Sequence, residues 1–289
     1  MDIIHLIDRI HPHRLKVFVD TSYFEYRKAT WRFRPLPEFL IIGAQKSGTS
    51  SLHSYLCQHP QLFSSPYKKE IHYFSTLKFN QKEKFENGEH WYRAHFPRQR
   101  EMCNGSMTFE TTPDYIFHPP VPARIHALSP EMKLIALLRN PTERAISNYF
   151  MENRKNREPL PMLEAFQQEE ARIERAVKEQ DYNNQFYIDT AYKSRGRYAE
   201  QLARFLVFFP AKQILLLSSE ELFSDPYGSL RKVYDFLDVD PDFKINDIAP
   251  RNIGRKKGEV PAGVREYLDE YFQPYNQTLY QLAGKNFGW

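Results

Sequence analysis

The chain has 289 residues, enough for one large α/β domain with a sizeable core. Its 41% hydrophobic and 15% aromatic content excludes a disordered chain. With 40 Lys+Arg against 36 Asp+Glu the net charge is +4, which argues against a bulk nucleic-acid binder and makes any anion site local.

In chain order, residues 1–37 are basic, aromatic and proline-punctuated, and read as an N-terminal extension packed on a main domain of residues 38–289. Phe39–Ile42 is a continuous apolar run, the pattern of a strand buried on both faces. A helix is expected from about Ser50 to Gln58, stopped near Pro60. Ile71–Phe74 is a second short strand candidate, and Lys133–Leu138 repeats the buried-strand pattern before a helix that begins after Asn140. Helical stretches follow over Met162–Gln180 and Tyr198–Phe209, then a strand over Gln213–Leu217, then helices over Pro226–Leu237 and Gly263–Leu282. Strands alternating with helices predict an α/β fold, a P-loop-like, mostly parallel sheet flanked by helices on both faces, in one domain. Ligands of such sheets sit at the carboxyl ends of the strands. No run of 18 apolar residues suggests a membrane span. Two cysteines, Cys57 and Cys103, make no disulfide framework, and with no apolar leader they favour a cytoplasmic setting.

The loop after the first strand reads Gly43-Ala44-Gln45-Lys46-Ser47-Gly48-Thr49-Ser50-Ser51. Glycines 43 and 48 permit close approach of backbone to a ligand. Helix-start N–H groups, the Lys46 charge and the hydroxyls of Ser47, Thr49 and Ser50 all suit an anion. The lysine precedes the second glycine by two positions, so the segment is not a Walker A loop. On its own the loop is equally an ordinary βα turn. The strand Lys133–Leu138 is followed by Arg139, then by Asn140, Pro141 and Glu143, the residues of an N-cap, N1 and N3. Ser147 lies one turn beyond Glu143, so Arg139 and Ser147 are candidates to grip a second phosphate. An Arg stands where a Mg²⁺-dependent nucleotide hydrolase often has Asp, which points to a nucleotide held without metal. A third basic cluster is Gly254-Arg255-Lys256-Lys257-Gly258.

These elements resemble the sulfotransferases that use 3′-phosphoadenosine 5′-phosphosulfate (PAPS), and most closely their heparan-sulfate glucosaminyl branch. The resemblance rests on FLIIGAQKSGTSSLHSYLCQHP, KKEIHYFS, ETTPDYIF, LIALLRNPTERAISNYF, SRGRYAEQLARFLVFFPAKQILLL and the tail from IGRKKG to YNQTLYQLAGKNFGW, in family order over roughly residues 38 to 289. It implies that Lys46, Ser47, Gly48, Thr49 and Ser50 hold the 5′-phosphosulfate. Arg139 and Ser147 would hold the 3′-phosphate, with Arg255, Lys256, Lys257 and Gly258 closing over it. Glu70 matches the acidic catalytic base, with Lys46 and His72 as its catalytic companions. If Ile71–Phe74 is extended, Glu70 and His72 share a face and compete for the role of base. The acceptor is expected against Lys69, His72, Thr111 and Asp114.

The implied reaction is in-line transfer of a sulfuryl group from PAPS to a hydroxyl of a saccharide, releasing 3′-phosphoadenosine 5′-phosphate, with no metal and no nucleic-acid partner. The chain departs from the heparan branch at Thr111, where a lysine is usual, and it has no cysteine after Cys103. The alternatives are O-sulfation of a lipid or carrier-bound alcohol, an ATP-dependent P-loop kinase, and a non-catalytic module on the same fold. Acceptor and oligomeric state stay open.

Overall fold

The structure, a computed structural model, describes residues 12–75, 84–252 and 258–289, the side chains of 12–19 excepted. Five strands form one all-parallel sheet: β1 Phe39–Gly43, β2 Leu62–Ser64, β3 Met107–Thr111, β4 Lys133–Leu138 and β5 Ile214–Ser218, in the order β2-β3-β1-β4-β5. The chain starts at the centre of the sheet, runs to one edge and returns to fill the other. The carboxyl ends of β1 and β4 therefore lie side by side, with Gly43 opposite Ala136 and the Ala44 N–H donating to the Leu137 carbonyl at 2.7 Å.

Helices cover both faces, as the alternation of elements requires. Leu40, Ile42, Leu134, Ala136 and Leu138 point to one side, where they meet α4 (Val121–Leu128), α9 (Tyr198–Leu206) and α12 (Val264–Ala283). Phe39, Ile41, Ile135 and Leu137 point to the other, against α2 (Thr49–Leu56) and α11 (Pro226–Leu237). Between these elements lie α3 (Gly88–Arg93), α5 (Pro141–Arg154), α6 (Met162–Gln167), α7 (Glu169–Lys178), α8 (Gln185–Thr190) and α10 (Ser219–Ser224), and α1 (Pro12–Ala29) precedes them all. The α1 helix is fastened by buried Arg27, which donates to the carbonyls of Ala94 and Phe96. Asn140 caps α5 as its sequence implies, accepting from the Glu143 N–H at 3.2 Å. Among the described residues no helix is long and apolar enough to cross a membrane.

Three elements differ from expectation. Ile71–Phe74 is not a strand: its amides bond to side chains, Ile71 to Glu110, His72 to Thr112, and Tyr73 and Phe74 to Tyr115, and His72 takes φ +55°. The missing strand positions are taken by β2, only three residues long, and β3, whose Thr and Glu content gives no apolar run. The helix expected over Met162–Gln180 is broken at Gln168 into α6 and α7.

Candidate active site

The loop between β1 and α2 opens at the carboxyl end of the sheet. Lys46 has φ +72° and Gly48 φ +92°, so the backbone curls into a concavity of the kind that gathers N–H groups around an anion. Gly48 is the N-cap of α2; its carbonyl accepts from the Ser51 N–H at 2.9 Å, and the Thr49 and Ser50 amides at the helix start have no carbonyl one turn back to receive them. A side chain at Gly48 would also strike Phe223 at 2.8 Å. Gly43 plays a different part from the one its sequence suggests. Its missing Cβ leaves room for Ile116, which would lie 2.4 Å away, so the close approach is to protein rather than to ligand.

A cleft of about 790 Å³ lies over this loop. Lys46, Gly48, Thr49 and Ser50 line it from one side, Arg139 from just beyond β4 and Ser147 from the second turn of α5. Arg139 Nη1 donates to the Lys46 carbonyl at 3.1 Å, and Tyr198 donates to the Arg139 carbonyl at 2.9 Å. The two anion-binding halves read from sequence are thus one continuous surface. Ser47 faces inward with no exposure and does not line the cleft. Burial, aided by Arg154, Lys155 and Arg139, draws the Lys46 ammonium down to about 8.

Glu70 lies on the same cleft. Lys69 Nζ donates to Glu70 Oε1 at 3.1 Å and to Ser50 Oγ at 2.9 Å, tying the carboxylate to the first turn of α2. His72 Nε2 stands 3.3 Å from Glu70 Oε2, and its Nδ1 stands 3.4 Å from Ser75 Oγ. The Nε2–H tautomer satisfies both contacts. Burial alone would raise the Glu70 carboxyl, but the His72 hydrogen bond and the Lys69 charge outweigh it and hold the carboxyl below its ordinary value. Glu70 is therefore ionised at neutral pH. His72 is buried behind it and does not line the cleft.

The turn that carries Glu70 is built on Glu110 of β3. This buried carboxylate accepts from Tyr92 at 2.6 Å, Thr112 at 2.5 Å, Tyr115 at 2.8 Å and the Ile71 N–H at 3.1 Å. Tyr73, Phe74 and Tyr115 around it belong to the core.

Like His72, two further residues expected to meet the acceptor do not line the cleft. Thr111 has no exposure, and its hydroxyl pairs with His53 Nδ1 at 2.9 Å. Burial and the Lys69 charge draw His53 down to about 4, so its ring is neutral at pH 7. Asp114 is buried against Arg195 at 2.5 Å and His118 at 3.1 Å, which hold its carboxyl far below the usual range despite burial. Lys69 does line the cleft. Arg255, Lys256 and Lys257 lie outside the described residues. Gly258 is exposed and does not line the cleft; a Cβ there would meet Phe150 at 3.1 Å.

Several cleft residues had no sequence signal strong enough to single them out. Ser219 and Glu220 follow β5, where the strand-end rule applies, and Glu220 accepts from the Asn140 N–H at 3.0 Å. Arg251 precedes the basic tail cluster, and its N–H donates to Ser51 Oγ at 2.8 Å. Arg157 pairs with Asp189 at 3.1 Å, and Lys155 pairs with Glu152 at 3.0 Å. These last cations are already partly neutralised.

A family model described as the sulfotransferase domain matches residues 36–253. The human protein named heparan sulfate glucosamine 3-O-sulfotransferase 6 is 34% identical over 280 residues, 89% of this chain and 74% of that protein. Mouse heparan sulfate glucosamine 3-O-sulfotransferase 3A1 is 33% identical over 282 residues, 89% of this chain and 65% of that protein. Among solved structures, a sulfotransferase from Alicyclobacillus acidocaldarius superposes with a TM-score of 0.70 at 30% identity, covering 88% of this chain and 98% of that one.

Proposed function

The chain belongs to the sulfotransferase-domain family and is a sulfotransferase, and from that premise we propose that it moves a sulfuryl group from PAPS to a hydroxyl of a saccharide, with glucosamine-bearing glycans as the acceptor class. The observation that carries this reading is a single cleft lined by two candidate anion-binding elements and the ionised Glu70 carboxylate, Arg139 bridging to the Lys46 carbonyl and Lys69 bridging Ser50 to Glu70. The acceptor class follows the named substrate of the relatives.

The residues fit a nucleotide bearing separated 5′ and 3′ phosphates. The curled Lys46–Gly48 backbone and the first turn of α2 offer amides and hydroxyls to the 5′ group, and Arg139 with Ser147 faces the 3′ group. Bound there, PAPS supplies the sulfuryl group and a phosphate leaving group. Glu70 takes the proton of the acceptor hydroxyl as the new O–S bond forms. Lys46, the loop amides and Thr49 stabilise the charge that develops on the bridging oxygen as the old S–O bond breaks. His72 orients Glu70 rather than acting as the base, because it is buried behind it.

The test is transfer of labelled sulfate from PAPS to a panel of glucosamine oligosaccharides, phenols and lipid alcohols, for the wild type and for Glu70→Gln. Turnover is expected on the saccharides, and Glu70→Gln is expected to lose about 10²–10⁴-fold in turnover while 3′-phosphoadenosine 5′-phosphate binding stays within about twofold. Equal turnover in the variant removes Glu70 from the mechanism. Turnover confined to lipid alcohols overturns the acceptor class alone.

A further inference from the structure

The connection into β1 and the segment after α3 enclose a second concavity of about 480 Å³, apart from the cleft. Arg32, Phe33, Arg34, Arg93, Arg98 and Arg100 are among its lining residues, and no Asp or Glu lines it. We propose that it is a binding site for a multiply charged oxyanion, a sulfate- or carboxylate-bearing group, distinct from the nucleotide cleft.

The argument is one of uncompensated charge. Arg34 is 2% exposed, yet its guanidinium donates to the Phe96 carbonyl, 2.7 Å from Nη1, and its Nε has no partner among the described residues. Behind it Arg27, 3% exposed, donates to that same carbonyl and to Ala94. Arg98 is held by the Tyr26 hydroxyl and lies 5.2 Å over its ring. Arg32 and Arg93 both sit 5.0 Å over Trp31. Arg93 alone of the lining arginines has an ion pair among the described residues, to Glu89 at 2.7 Å.

Burying a guanidinium without a counter-ion is costly, and neutral carbonyls do not remove the charge. Burial and the nearby Arg27 push Arg34 below its ordinary value, and the Glu101 charge offsets them only in part. The same neutral anchors fix the guanidinium groups in place, so an entering oxyanion meets preorganised forks at little ordering cost. Phe33, two-thirds exposed, adds an apolar rim that suits a ring-bearing ligand.

This inference stands apart from the proposed reaction. It is tested by titrating the full chain, with and without saturating 3′-phosphoadenosine 5′-phosphate, with inorganic pyrophosphate in one arm and a heparin-type sulfated hexasaccharide in the other. Exposed Arg32 and Arg100 are replaced together by serine, and Arg34→Lys is a second variant that keeps the charge but not the fork. At least one probe is expected to bind the nucleotide-saturated chain. Arg32→Ser with Arg100→Ser is expected to weaken that binding about tenfold, with nucleotide affinity unchanged. Pyrophosphate binding identifies a free oxyanion as sufficient; binding of the hexasaccharide alone identifies a chain-borne one. Binding of neither probe, or binding indifferent to both variants, overturns the proposal.

Discussion

Glu110→Ala removes the acceptor on which the base-bearing turn is built. Four donors lose it: the hydroxyls of Tyr92, Thr112 and Tyr115 and the Ile71 N–H. Each stranded buried donor costs about 1–3 kcal/mol. The four share one acceptor and do not add, so about 3–5 kcal/mol in total is expected. At about 2–4 °C per kcal/mol for a domain of this size, Tm falls by about 10 °C in differential scanning calorimetry. Glu110→Gln keeps the volume and one acceptor oxygen and falls less. Because the turn positions Glu70 while the nucleotide surface lies on other elements, turnover falls in both variants and nucleotide affinity holds. Glu110 also carries a signature in pH. Burial raises its carboxyl above the ordinary 4.5, despite donors that pull the other way. The native state therefore holds that proton more tightly than the unfolded chain does. The resulting stability is fully present below about pH 4.5 and is lost as the pH rises through the raised value. The margin of wild type over Glu110→Gln is thus expected to narrow as the pH rises above about 4.5. A melting point within 2 °C of wild type for the alanine variant, or a margin that widens with pH, refutes this reasoning.

Lys46, drawn down to about 8, loses its charge on the alkaline side, so affinity for 3′-phosphoadenosine 5′-phosphate is expected to drop from about pH 7 to 9. Calorimetric titration of Lys46→Ala should show weaker binding and a flat profile over that range; an unchanged slope would assign the dependence to another group. His72→Ala removes one hydrogen bond to Glu70, worth about 1.4 kcal/mol or about tenfold in turnover, and His72→Asn, which tolerates positive φ and keeps a donor, should retain more activity. Steady-state kinetics with the order reversed would count against the orienting role. Gly43→Ala forces a Cβ to within 2.4 Å of Ile116 and is expected to cost about 1–3 kcal/mol. Combined with Ile116→Ala the loss should be less than additive in denaturant unfolding, and strict additivity would contradict the packing argument.

The parts of this molecule that could be read from its residues are those where a local pattern carries the physics. Phe39–Ile42 and Lys133–Leu138 are buried on both faces, so they appear as unbroken apolar runs, and the segments that follow them line the cleft. Pro226–Leu237 begins and ends where its sequence indicates, because Asp225, Pro226 and the apolar period all agree. The strand Met107–Thr111 is not legible, because its Glu110 is buried to serve three hydroxyls and an amide, and two of these partners are far off in sequence: Tyr92 and Ile71 precede it by 18 and 39 residues. Ile71–Phe74 misled for the same reason, since its amides are satisfied by those side chains instead of by a neighbouring strand. The burial of Asp114 is not legible either, because its partner Arg195 lies 81 residues away. Glu70 and His72 do come together, but through a left-handed turn and not through the two-residue period of a strand.

The central claim is that two phosphate groups of one adenylate are gripped by this chain's own cations and amides across a single cleft. A crystal structure with bound 3′-phosphoadenosine 5′-phosphate tests it most directly. The account predicts the 5′-phosphate against Lys46 and the first turn of the Thr49–Leu56 helix, and the 3′-phosphate against Arg139 and Ser147. A nucleotide bound elsewhere, or one from which Lys46 and Arg139 both turn away, would contradict it.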